Sequence, residues 1–204
     1  MCNLYSEKVS YRQLFDEFSQ MRLPILFPEP HAAPNLEPRE EIRPTETAPV
    51  VRPRGEGVEL VSLKWGFAPG RPKGPPVINF RSEGRRFTRG RCLVPASHFF
   101  EFTGTSYPKT RWKFTVPGRD WFCLAGLWRA PEGDWPESFT LLTTRPGPDM
   151  KPYHDRQVVV VPPALWRDWL DPDADPEPIL QPGPAGALQV EPAPRPAAGA
   201  PSLF

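Results

Sequence analysis

The second residue of the chain is a cysteine, Cys2, directly after Met1. A small residue at this position permits removal of Met1, which would make Cys2 the amino terminus. Its α-amine would then have a pKa near about 8, and its thiol one near about 8.5. A substantial fraction of that amine is neutral at pH 7, unlike a lysine amine. An amine and a thiol on adjacent carbons trap an aldehyde. The amine attacks to give an imine, and the thiol closes a five-membered thiazolidine. Amino-terminal nucleophiles solve the activation problem without a separate base. The plain alternative is that Cys2 is an ordinary second residue.

Three other places carry residue types suited to the same chemistry. His154, in Lys151-Pro152-Tyr153-His154-Asp155-Arg156, precedes a strand-like run and suits proton shuttling near neutral pH; it also reads as a surface histidine. Glu101 lies in Ser97–Phe102, where alternation puts Ser97, Phe99 and Glu101 on one face and His98, Phe100 and Phe102 on the other. A carboxylate among aromatics is either an acid–base or a structural ion-pair partner. Asn79 and Arg81 share one face of a short run and suit a sugar oxygen and a phosphate, or else are an edge amide and a solvated arginine.

Charge is distributed in a way that frames these residues. The net charge is +1, yet Lys64 to Arg119 holds twelve Lys and Arg against only Glu83 and Glu101. That segment is therefore +10 and the remainder −9. Trp65, Phe67, Phe80, Phe87, Phe99, Phe100, Phe102, Tyr107, Trp112 and Phe114 are interleaved with the cations. Basic grooves with stacking aromatics suit single-stranded nucleic acid; strands alternating core aromatics with solvated Lys and Arg give the same pattern.

The elements that must position these groups follow from periodicity. Ser10 to Arg22 predicts a helix, with Ser10 and Gln13 forming a capping box and Leu14, Phe15, Phe18 and Met21 on one face. Residues 28–46 are Pro-rich and acidic and read as an extended loop. Ala48–Arg52 and Val58–Trp65 read as strands around the hairpin signal Gly55-Glu56-Gly57, and Pro75–Phe80 as another strand. Ser82–Gly90 reads as a basic connection or a short helix. Strands are then predicted at Arg91–Val94, Ser97–Phe102, Arg111–Val116, Trp121–Trp128, Ser138–Thr144 and Gln157–Val161, and an amphipathic helix at Pro163–Leu170. The class is α+β, mostly antiparallel strands in a partly closed, barrel-like core with a few short helices. One domain spans 1–190, and a Pro/Ala-rich tail, expected to be disordered, covers 191–204.

Exclusions narrow the field. Hydrophobic residues make up 39% of 204, enough for a core, while 31 prolines argue against a helical bundle. No apolar run is long enough for a membrane span and no leader pattern opens the chain, which predicts a cytoplasmic protein without a membrane partner. Cys92 and Cys123 read as small buried hydrophobes. Three widely spaced cysteines without a CxxC pair predict neither disulfides nor a zinc site. No metal or cofactor is expected, and a monomer is the default.

Taken together, Met1-Cys2, Trp65-Gly66-Phe67-Ala68-Pro69, Asn79-Phe80-Arg81-Ser82-Glu83, Arg91-Cys92-Leu93-Val94-Pro95-Ala96, Phe99-Phe100-Glu101-Phe102, Ala125-Gly126-Leu127-Trp128 and His154-Asp155-Arg156 occur in an ordered series. That series resembles the SOS response-associated peptidase (SRAP) family over roughly residues 2–170. The resemblance implies that the chain shields abasic sites in single-stranded DNA through a covalent crosslink. On this resemblance Cys2 would be the nucleophile, Asn79 would hold the substrate and the Cys2 region, Glu101 would assist imine formation and sugar-ring opening, and His154 would be the acid–base of ring opening and crosslink reversal. Arg81 would contact phosphate and Trp65 would shape the DNA surface, with Arg85, Arg86, Phe102 and Arg156 completing the expected DNA-binding set. The family is also described as an autopeptidase. Against the family pattern, Asn3 and Leu4 stand in place of Gly-Arg, Phe80 in place of Ala, Phe102 in place of Trp, and Gln157-Val158 in place of Met-Pro. Two other functions share the motifs: a non-covalent single-strand binder and a Cys2-dependent peptidase acting in trans.

Overall fold

Residues 2–26 and 36–194 are described by a computed structural model. In chain order the elements are β1 (Tyr5–Glu7), α1 (Tyr11–Gln20), β2 (Arg39–Ile42), β3 (Thr47–Arg54), β4 (Gly57–Trp65), β5 (Asn79–Arg81), β6 (Arg91–Ala96), β7 (His98–Thr103), β8 (Thr110–Thr115), β9 (Phe122–Arg129), β10 (Ser138–Thr144), β11 (Gln157–Val158), β12 (Val160–Val161), α2 (Trp166–Leu170) and β13 (Gln189–Pro192). One sheet runs β13–β8–β7–β1–β2, with every neighbour antiparallel. The other runs β11–β10–β4–β3–β6–β9–β12, and β9 pairs with β10 as well, so its path comes round on itself. The ring is not a closed barrel. β3 and β6 share one register pair, Val51 with Leu93, and β4 meets β10 in parallel over two.

Alternation along the ring strands sends side chains to two cores. Val51, Leu93, Cys123 and Ala125 join Leu14, Phe18, Trp166 and Trp169 under the two helices. Val50, Cys92, Val94 and Leu124 join Tyr5, Phe99 and Phe114 of the five-stranded sheet, and Cys2 belongs to this second cluster. Strands buried on both faces read as near-continuous apolar runs, as Arg91–Ala96 and Phe122–Leu127 do. Cys92 and Cys123 are fully buried within them.

Several expectations need correction. Helix α1 has the capping box, with the Ser10 hydroxyl accepting the Gln13 N–H at 3.2 Å and the Gln13 amide oxygen accepting the Ser10 N–H at 2.9 Å. Leu14 and Phe18 are its buried residues; Phe15, one position round, is 42% exposed. The strand expected at Pro75–Phe80 is displaced to Asn79–Arg81, since prolines at 75 and 76 offer no N–H to a ladder. Ser82–Gly90 holds no helix. Gly84 and Gly90 sit at φ +68° and +72°, and a Cβ on Gly90 would lie 2.5 Å from the Trp128 carbonyl oxygen. Gln157–Val161 divides into β11 and β12, and Pro163–Leu170 into a 3₁₀ turn and α2. Strands β1, β2 and β13 were not legible. β2 interrupts the acidic loop, and β13 carries the body to Pro192, past the expected boundary at 190, with Ala193 N–H donating to Arg111 C=O at 2.9 Å. Residues 27–35 and the tail from 195 lie outside the described residues.

Strand β1 is interior to its sheet, and it carries a buried carboxyl. Glu7 is 1% exposed; one oxygen accepts the Val9 N–H at 2.7 Å, and the other has no hydrogen-bond partner among the described residues. Burial pushes this carboxyl up to about 7. The folded chain therefore keeps a proton that the unfolded chain releases, so this group's stabilising effect fades as pH rises from the unfolded value through about 7. Glu7→Gln is expected to raise stability at pH 8 by about 2 kcal/mol and to change it little at pH 5. Urea midpoints at the two pH values measure this; a midpoint lowered at pH 8 would refute it.

Candidate active site

The register of β1 on β7 builds the site. Tyr5 pairs with Phe99, and the Phe100 N–H donates to Leu4 C=O at 3.0 Å. Continued antiparallel, this course takes Asn3 and Cys2 past Glu101. Cys2 is fully buried, and its thiol donates to Leu4 C=O at 3.5 Å. Burial pushes the thiol up to about 12, with the negative charge of Glu101 as the next cause. Glu101 is 3% exposed, on the Phe99 face as alternation predicts; burial pushes its carboxyl up to about 7, and nearby Asp155 adds to the rise.

Asn79 reaches the same place from the other sheet. Strand β5 lies parallel to β10, with Asn79 opposite Leu141. The Asn79 amide donates to Cys2 C=O at 2.7 Å, while its carbonyl oxygen is buried with no partner among the described residues. Phe80 takes the opposite face, edge-on to Phe87, and Arg81 returns to Asn79's side, exposed.

His154 ends a turn in which its N–H donates to Met150 C=O at 3.1 Å. Its Nδ1 lies 2.9 Å from the Arg156 backbone N–H. Asp155 Oδ1 is 2.8 Å from the same Nδ1. Burial is the main cause lowering the imidazole pKa, so the neutral form is favoured at pH 7. The turn is braced by Tyr153, whose ring lies 4.8 Å from Trp112 and 5.5 Å from Phe114. Trp112 is directly across from Glu101 on β8, so one aromatic wall supports both groups. Tyr153 and Asp155 flank His154 in the sequence without a periodic signal of their own, whereas alternation on β8 could have found Trp112.

The expected DNA-binding residues divide. Arg81, Arg85 and Arg86 are exposed. Phe102 lines a hollow of about 590 Å³ with Asn3, Leu4, Glu41, Arg43, Pro44 and Arg111, next along the chain from Cys2. Trp65 has no accessible surface; its indole donates to Ile78 C=O at 2.9 Å and its ring meets Tyr5 at 5.1 Å. It can shape the surface only from beneath. Arg156 is a clamp rather than a free cation. It pairs with Glu83 at 2.8 Å and donates to Thr143 C=O at 2.8 Å, tying the His154 turn to β10 and to the turn after β5. Arg156→Ala is expected to cost about 2 kcal/mol in a denaturant titration, because Glu83 and the Thr143 carbonyl lose their donor, while leaving the salt dependence of DNA binding unchanged. A flatter salt dependence at full stability would make Arg156 a DNA contact, as the resemblance implies.

The basic segment is also not all surface. Arg91 is buried, donating to the carbonyls of Asp171 at 2.6 Å and Ala174 at 3.0 Å. Arg111 is buried on Glu41 at 2.7 Å, with its guanidinium 3.5 Å from the Phe100 ring. Among the described residues no group of three or more His, Cys, Asp and Glu could hold a metal, and no helix is long and apolar enough to cross a membrane.

Similarity to known proteins agrees with the ordered motifs. The abasic site processing protein YoqW of Bacillus subtilis is 28% identical over 202 residues, covering 87% of this chain and 88% of that protein. The abasic site processing protein YedK of Escherichia coli is 26% identical over 184 residues, covering 83% and 79%. A crystal structure of a Bordetella bronchiseptica protein superposes with a TM-score of 0.73 at 22% identity, over 95% of this chain and all of that one, which shows the shared fold. The family model described as SOS response associated peptidase (SRAP) matches residues 1–195, and the chain belongs to that family.

Proposed function

We propose that the chain, once Met1 is removed, uses Cys2 to form a thiazolidine with the ring-opened aldehyde of an abasic site in single-stranded DNA. The observation that carries the reading is the meeting of Cys2, Asn79 and Glu101, with the Cys2 carbonyl held at 2.7 Å and the thiol feeling the Glu101 charge. His154 joins them through Asp155, which influences both Glu101 and the imidazole.

The chemistry follows from the protonation states. The Cys2 amine, with a pKa of about 8, adds to C1′ of the aldehyde. The resulting carbinolamine must lose water. A carboxyl near pKa 7 is still partly protonated at neutral pH and gives its proton to the departing hydroxyl, leaving a protonated imine and a carboxylate. The buried thiol is neutral, so its sulfur adds to the imine carbon as its proton passes to the carboxylate that the first step created. One water leaves, the C–N and C–S bonds remain, and Glu101 ends as it began. His154, whose imidazole pKa is lowered by burial, suits proton exchange with the sugar-ring oxygen as the hemiacetal opens. The open Asn79 acceptor suits an N–H of the Cys2 amine. Removal of Met1 by the chain itself, as the family's description as a peptidase implies, would use the same groups on the Met1–Cys2 bond.

Intact mass spectrometry tests this directly. After incubation with a single-stranded oligonucleotide bearing one abasic site, the expected species lacks Met1 and has gained the oligonucleotide less one water. A mature Cys2 chain that binds the oligonucleotide without gaining mass would indicate non-covalent binding. Cleavage of an unrelated peptide, lost with Cys2→Ala, would indicate a peptidase acting in trans.

A further inference from the structure

We propose that a second groove, on the far face of β5 from Cys2, holds the sugar–phosphate backbone of the same DNA strand as it runs on past the lesion. This rests on the reading of Cys2 as an abasic-site nucleophile. The groove has a volume of about 460 Å³, and its lining includes Phe67, Phe80, Arg85, Arg86, Arg89 and Arg129. No acidic residue lines it. Among the described residues none of its four arginines forms an ion pair, although arginines elsewhere in the chain commonly do.

Two of these guanidiniums are held flat by ring faces. Arg85 lies 4.8 Å over Phe80, and Arg129 lies 4.3 Å over Phe67. An arginine held this way keeps its N–H edges free for phosphate while its side-chain entropy is already restricted. Phe67 and Phe87 are buried, and Gly90 locks the floor against Trp128 by a 2.7 Å backbone hydrogen bond. The adjoining hollow also includes Arg85 and Arg86 but carries Glu83, Asp175 and Glu177. An anionic strand is thus favoured on the Arg89–Arg129 side.

Continuity with the reacting site comes from β5 itself. Asn79 faces Cys2 and the next residue, Phe80, faces the groove. Among the described residues β5 pairs only with β10, so its other edge is open. A strand engaged at Cys2 reaches the groove by crossing that edge, where Arg81 is exposed.

The test uses the double variant Arg89→Gln, Arg129→Gln, whose positions are exposed and remote from the proposed chemistry. Single-stranded abasic oligonucleotides of about four and about sixteen nucleotides are compared. In the wild-type chain the longer one is expected to bind more tightly and with a steeper dependence on salt. In the variant that slope is expected to fall by about 1.4, at about 0.7 per lost phosphate contact on a single strand, with the short oligonucleotide unaffected. The yield of adduct at saturating DNA should be unchanged. A variant that keeps the wild-type slope and length dependence overturns the proposal, as does one that weakens binding of heparin but not of the oligonucleotide. The two readings fail separately: a wild-type chain with the length effect and no adduct loses the thiazolidine but keeps the groove.

Discussion

A Cys2→Ala chain is expected to give no adduct with an abasic oligonucleotide, and a Cys2→Ser chain only a fleeting one. Alanine keeps the amino terminus and its amine, so an imine can still form. It has nothing with which to close the ring, and an imine exposed to water reverts. Serine retains a hydroxyl on the adjacent carbon, but oxygen closes a far less stable ring than sulfur. Both variants should therefore yield a product when borohydride reduces the imine, and none that survives gel electrophoresis without it. The expected loss of stable adduct is complete, from essentially stoichiometric to background. The substitution sits in a fully enclosed position, so circular dichroism must confirm that each variant is folded. An adduct from Cys2→Ala that is stable without reduction would remove the thiol from the mechanism.

The second large effect belongs to Glu101. A positioned general acid typically contributes about 10²–10⁴ in rate, so Glu101→Gln should slow adduct formation by a factor in that range. The pH profile separates catalysis from mere packing. The reaction needs a neutral amine and a protonated carboxyl, with pKa values near about 8 and about 7. Wild-type rates should thus be bell-shaped, highest between those values. In Glu101→Gln the falling limb above pH 8 should vanish, leaving a slow rate that rises with amine deprotonation to a plateau. An unchanged bell would mean that Glu101 supports the fold and does not move the proton.

The sequence was readable where periodicity or local chemistry decides structure. The Ser10–Gln13 cap, the Gly55-Glu56 turn and the ring strands depend on neighbours in the chain, and they lie within a residue or two of their expected places. Strands β1, β2 and β13 depend on distant partners. Three or four residues acquire β structure only because a distant partner offers an open ladder: β7 to β1, β1 in turn to β2, and β8 to β13. The site divides in the same way. Alternation put Glu101 with Phe99 and Phe80 opposite Asn79, but no local signal says that Arg156 meets Glu83 or that Trp65 is sealed beneath Ile78 and Tyr5. The basic middle of the chain was a compositional truth that the fold splits into buried braces, Arg91 and Arg111, and an exposed set around Arg85, Arg86 and Arg89, which Arg129 joins from outside that segment.

Strand β1 lies between β7 and β2, in the interior of its sheet. A DNA strand joined to Cys2 would be anchored three residues from that strand. Tension along the DNA would load the hydrogen bonds to both neighbours along the strand axis, so that they share the force instead of opening one at a time. A motor that runs into the joined DNA would have to shear an inner strand out of the sheet before the crosslink itself bore the strain. Resistance to such pulling is governed by an unfolding rate rather than by binding affinity. The protein would thus act as a mechanical stop on the template as well as a chemical cover for the lesion.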